Sequence, residues 1–141
     1  MIKQVIVMRK DLNMRKGKMI AQGAHASMKI LTDLILNIED DLEIVIPSTD
    51  QKLKLLGCTL HPEDPLYKWL IGDFTKIVVG CNSEEELLEL QKKADESNIL
   101  NALITDLGKT EFNKVNTNTC LAIGPDKSDK IDSITGHLKL L

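Results

Sequence analysis

The chain reads as an α/β domain in which a sheet is covered by helices on both faces, and three observations carry that reading. Short apolar runs rich in β-branched residues recur at Gln4-Val5-Ile6-Val7-Met8 and Thr75-Lys76-Ile77-Val78-Val79-Gly80. Unalternating runs of this kind suit strands buried on both sides. Longer stretches of helical spacing alternate with these runs, which is the pattern of a covered sheet with sites at strand ends. The 141 residues, 43% of them apolar, suffice for one core and one domain spanning 1–141.

In chain order, Gln4 to Met8 is the first strand and Arg9 to Arg15 its connecting loop. A helix is expected from about Lys16 to about Asn37, where the acidic cluster Glu39-Asp40-Asp41 begins. Within it, Lys18, Gln22, His25 and Lys29 share one stripe and read as the chemical face, while Ile20, Ala24, Met28, Leu31 and Ile35 share another and read as the core face. Ala21, Gly23, Ala24 and Ala26 are small enough to let the backbone approach a sheet closely. Pro47-Ser48-Thr49-Asp50 has the form of a helix start, with Gln51 to Leu56 a short helix stopped by Gly57.

His61-Pro62-Glu63-Asp64-Pro65 is a loop, and Tyr67 and Trp69 behind it serve to pin that loop to the core. Ser83-Glu84-Glu85-Glu86 is a capping box opening a helix to about Ser97 with the apolar stripe Leu87, Leu90, Ala94. Ile99 to Thr105 is a third strand leading into Asp106, and Thr119 to Ile123 a fourth.

Composition narrows the function. No apolar run is long enough to span a bilayer and the N-terminus has no signal-peptide pattern, so a soluble, cytoplasmic protein is expected. Cys58, Cys81 and Cys120 are widely spaced with no Cys-x-x-Cys pair, which points to reduced, structural thiols. The net charge of −3 conceals an asymmetry: residues 1–30 hold seven basic side chains against Asp11 alone, a net of +6, leaving −9 for the remainder. Arg15, Lys16 and Lys18 crowd one helix start, where unpaired N–H groups also favour an anion such as phosphate.

Several separated motifs then fall in one order: Lys3-Gln4-Val5-Ile6-Val7, Lys16-Gly17-Lys18, Ala21-Gln22, Ala24-His25-Ala26, Asp106-x-Gly108-Lys109-Thr110, Ile123-Gly124-Pro125 and Thr135-Gly136-His137-Leu138-Lys139-Leu140. Together they resemble the type II peptidyl-tRNA hydrolases, a likeness that reaches both ends of the chain. The resemblance implies a four-stranded mixed β-sheet with helices on both faces, and cleavage of the ester joining a peptide or N-blocked amino acid to tRNA without a metal or other cofactor. It places Lys18, Asp106 and Thr110 as catalytic, Gln22 and His25 as nearby support, Gly108 as the tight turn and Thr119 in the substrate pocket, while the charge at Arg15 and Lys16, together with Lys109, is expected to face tRNA. Three departures stand out: Leu107 replaces the usual Ala, Asn113 to Thr117 replaces a Pro-Gly turn, and residues 39–75 are longer than the typical middle region.

On this basis Asp106 orients or deprotonates water, Thr110 fixes that geometry, and Lys18 supplies positive charge for the oxyanion or the terminal phosphate. A covalent route has no Gly-x-Ser-x-Gly elbow to support it. His137 and Lys139 read as edge or packing residues. The alternative is a catalytically impaired RNA- or protein-binding module on the same fold. The expected partner is peptidyl-tRNA, with no membrane involved, and a homodimer is an option the sequence leaves open.

Overall fold

The computed structural model describes residues 1–36 and 60–141. The expected helix over Gln51 to Leu56, its start at Pro47, and Cys58 lie outside the described residues. The chain runs β1 (Ile2–Arg9), α1 (Lys16–Leu36), α2 (Pro65–Ile71), β2 (Lys76–Cys81), α3 (Glu84–Glu96), β3 (Asn101–Asp106), β4 (Thr117–Lys127), α4 (Ser128–Thr135) and β5 (Lys139–Leu140). The sheet order is β3-β4-β1-β2-β5, with β1 parallel to β2 and the other neighbours antiparallel. The mixed sheet is as expected, but it has five strands, not four. The C-terminal tail supplies the fifth, pairing Lys139 with Gly80 and Leu140 with Val79.

Alternation along β1 sorts the core. Val5 and Val7 face one side with Leu87, Leu90 and Ala94 of α3 and Ile131 and Ile134 of α4, while Ile6 and Met8 face the other with Ala26 and Ile30 of α1. The α3 stripe read from spacing is buried as expected, each leucine contributing about 1.5–3 kcal/mol of burial. The cap is also in place: Ser83 Oγ accepts from Glu86 N at 3.1 Å, and Glu86 Oε2 accepts from Asn82 N at 2.7 Å. Trp69 is fully buried and donates Nε1 to the Thr75 carbonyl at 2.8 Å, pinning the segment after the Pro62/Pro65 loop. Pro65 opens α2, where a missing N–H costs nothing.

The core face of α1 is not the one hydropathy favours. Gln22, Ala26 and Ile30 are 2%, 0% and 3% exposed, whereas Ile20 and Met28 are 74% and 58% exposed and Ala24 is also open. Backbone approach decides this. The small Ala26 lets α1 sit against Ile6 and Met8, whereas a Cβ at Gly23 would meet Met8 Cε only at an ordinary 3.8 Å. Ile20, Met28 and Leu31 are left to line a groove of about 680 Å³ with Trp69, Phe74 and Val78. No helix among the described residues is long and apolar enough to cross a membrane.

Candidate active site

β3 ends at Asp106 on the sheet face that α1 covers, and two α1 side chains one turn apart meet it there. Lys18 Nζ donates to Asp106 Oδ2 at 2.6 Å, and Gln22 Nε2 donates to the same oxygen at 3.1 Å. Oδ1 accepts from the backbone N–H of Gly108 at 2.8 Å. Lys18 also donates to Thr110 Oγ1 at 3.1 Å and sits 5.6 Å from the centre of the Phe112 ring.

These partners hold the Asp106 carboxyl below its ordinary value of 3.8, chiefly through the Lys18 hydrogen bond and against the opposing effect of burial. The group is therefore ionised across the neutral range. Gly108 makes the turn possible at φ +72°, and a Cβ there would stand 2.7 Å from Val115 N and 2.8 Å from Val115 O. Backbone cannot give way to it, so the tight-turn expectation has a physical basis.

Gln22 is held from behind. Thr119 Oγ1 donates to Gln22 Oε1 at 2.5 Å, leaving the amide nitrogen to point at Asp106. Thr119 is fully buried, so its contact with the site passes through Gln22. No buried side-chain nitrogen or oxygen among the described residues lacks a hydrogen-bond partner.

The other expected site residues lie further out. Arg15 is exposed and pairs through Nε with Glu111 Oε1 at 2.9 Å. Lys16 is exposed at the mouth of the groove, and Lys109 is exposed on the Asp106 loop. His25 is exposed and makes no hydrogen bond or ion pair among the described residues; Lys29, on the same stripe, pairs with Asp33. Only Lys18 and Gln22 of that stripe reach the carboxylate. Glu111 and Phe112 were missed from sequence, and nothing in their spacing marks them, because their partners Arg15 and Lys18 are about 95 residues away.

Chemically, the arrangement offers an ionised carboxylate, an ammonium and a hydroxyl around one point. By lone-pair count, Oδ2 is filled by Lys18 and Gln22, whereas Oδ1 keeps one acceptor position beside the Gly108 N–H. Lys18 likewise keeps one of its three N–H donors. The buried thiols offer no rival nucleophile: burial pushes Cys81 up to about 11 and Cys120 up to about 12. Among the described residues there is no group of three or more His, Cys, Asp or Glu side chains that could hold a metal ion.

The model of the family described as peptidyl-tRNA hydrolase PTH2 matches residues 2–141. Proteins named peptidyl-tRNA hydrolase from Methanothermobacter thermautotrophicus and Methanocaldococcus jannaschii are 38% and 39% identical over 140 residues, covering 99% of this chain and all of each relative. One of the same name from Saccharolobus solfataricus is 38% identical over 141 residues, covering the whole of both. With the match extending over nearly every residue, the chain belongs to the peptidyl-tRNA hydrolase PTH2 family.

Proposed function

We propose that this site hydrolyses the ester between a peptide, or an N-blocked amino acid, and tRNA, with Asp106 as the group that orients the attacking water. The observation that supports it is the convergence of Lys18, Gln22 and the Gly108 N–H on one carboxylate. A carboxyl held below its ordinary value is a weak proton acceptor, since general bases work best near the operating pH. Orientation through the free lone pair of Oδ1 suits it better than full deprotonation. The spare N–H of Lys18 can meet the oxyanion as the carbonyl becomes tetrahedral, the step where fixed charge contributes most. Thr110 holds the ammonium in place for that step.

In this reading Arg15, Lys16 and Lys109 take tRNA phosphates, and Gln22, Gly108 and Thr119 shape the site without reacting. His25 lies on the solvent side of α1 as an accessory contact to tRNA. No metal or cofactor enters, and a cytoplasmic location follows from the substrate.

Release of peptide from purified peptidyl-tRNA tests the reading, with Asp106→Asn as the control. The parent should cleave, and the variant should lose roughly 10²–10⁴-fold in turnover while holding tRNA as well or slightly better. A parent that binds tRNA without cleaving it would leave a binding module. A homodimer is part of the same proposal. Its support is the exposed apolar rim of the groove at Ile20, Met28 and Leu141, surface that monomers seldom leave uncovered. Sedimentation checks it: the parent should run as a dimer and Ile20→Glu as a monomer, whereas a monomeric parent would contradict it.

A further inference from the structure

β3 and β4 pair through a slip of one residue at the point where the site begins. Ile104 lies opposite Cys120 and Thr105 opposite Asn118, so Thr119 has no partner of its own. It is the extra residue of a β-bulge. The side chains show what the bulge does. Cys120 and Thr119 are adjacent in sequence, yet both face α1: Cys120 Sγ lies 3.3 Å from the Gln22 carbonyl, and Thr119 Oγ1 holds the Gln22 amide. Strict alternation would instead have turned Thr119 toward the α3 face with Leu121 and Ile123. Gln22 would then lose the hydroxyl that orients it.

Asn118 holds this irregularity from the α3 side. Its carbonyl accepts Arg9 Nη1 at 2.9 Å, its Oδ1 accepts Thr105 Oγ1 at 2.6 Å, and its Nδ2 donates to Glu84 Oε1 at 2.8 Å. Arg9 is fixed in turn by Asp11, through Nε at 3.1 Å and Nη2 at 2.6 Å. One side chain thus ties the residue beside the bulge to β3 and α3, and its backbone to β1. Bulges commonly re-aim a side chain next to an active site. Here Thr105, which immediately precedes Asp106, is one of the groups clasped.

We propose that Asn118 is a positioning residue of the hydrolytic site: by clasping Thr105 and Glu84 it fixes the bulge that turns Thr119 onto Gln22, and so aims Gln22 and Asp106. Asn118 touches no reacting atom. The inference rests on the reading of Asp106 as the water-orienting group, and its test separates the two.

The experiment measures single-turnover ester cleavage and tRNA affinity for Asn118→Val, Thr105→Val, Thr105→Ser and the double Val variant, with Asp106→Asn alongside. Valine keeps strand propensity while removing the polar clasp, and serine restores the hydroxyl. Asn118→Val should slow cleavage roughly 10- to 100-fold with tRNA affinity unchanged within about two-fold, because small misplacements of a reacting constellation act on the chemical step. Thr105→Val should be slowed several-fold, Thr105→Ser should stay within about two-fold of the parent, and the double variant should be no slower than Asn118→Val. Should Asn118→Val fail to fold, the two Thr105 variants decide the matter by themselves. Parental cleavage by Asn118→Val, or equal rates for Thr105→Ser and Thr105→Val, would overturn the proposal. If Asp106→Asn itself cleaves at the parental rate, the reading of the site fails first; if Asp106→Asn is slow and Asn118→Val is not, only the clasp fails.

Discussion

One flank of α1 holds an ammonium and an amide against Asp106, while the other leaves Ile20 and Met28 open to solvent. The polar flank is the tighter one. Gln22 is 2% exposed, and the side chains of Lys18 and Asp106 are 12% and 15% exposed. Burying these groups is tolerable because each is paired, and an unpaired buried amide or charge would cost several kcal/mol. The apolar flank faces a groove between α1, Trp69 and Phe74, where its side chains have few neighbours to lose. Burial along this helix follows backbone approach and pairing, so the two flanks should respond differently to substitution.

The largest difference should come from Lys18→Ala, which removes the donor to Asp106 and Thr110 together. Turnover should fall roughly 10²–10³-fold, as for a lost oxyanion donor, with the variant still folded. Activity within a few-fold of the parent would mean the ammonium is only a structural ion pair. Gln22→Leu keeps the volume but leaves the Thr119 hydroxyl only its longer contact, 3.4 Å to the Ile104 carbonyl. It should slow cleavage roughly 10-fold or more and lower stability by about 1–3 kcal/mol in chemical denaturation. Unchanged stability would show that the Ile104 carbonyl satisfies Thr119 on its own.

Ala26→Leu sharpens the comparison without touching the site's polar atoms. Ala26 is fully buried against the sheet, so overpacking should cost about 1–3 kcal/mol, read as a lowered thermal midpoint. Smallest of all, in protein diluted until it is monomeric, should be Ile20→Ser and Met28→Ser on the open flank, each within about 0.5 kcal/mol of the parent and with parental turnover. A large loss of stability from either at that dilution would mean that this flank is packed within the single chain.

These contrasts also mark what could be read in advance. Strands β1, β2 and β3, the capping box of α3 and its leucine stripe were legible because each signal is local and repeats within a few residues. Asp106, Gly108, Thr110 and Lys18 were legible as motif positions, and the structure brings them to one point. The core face of α1 was misplaced because hydropathy ranks isoleucine above glutamine, whereas the helix packs through Ala26 and Ile30 and satisfies Gln22 from a strand 97 residues away, and the chemical stripe held at Lys18. β5 is two residues long and has no pattern to detect. α4 mixes Ser, Asp and Lys with only Ile131 and Ile134 as buried apolar anchors, too sparse a stripe to announce a helix. The bulge at Thr119 depends on register between strands, which no stretch of β4 reveals alone.

The central claim is that Lys18 and its neighbours hold Asp106 ionised and aimed. Titration of the Asp106 carboxyl by carbon NMR, in the parent and in Lys18→Ala, tests it most directly. An opposite charge and hydrogen bonds favour the carboxylate, so the folded value lies below the unfolded one, and the stability they contribute is present above the ordinary value of 3.8 and lost as pH falls through the folded value. The parent should therefore titrate below 3.8, with the midpoint rising when Lys18 is removed. A parent midpoint at or above the ordinary value, unmoved by Lys18→Ala, would contradict the account.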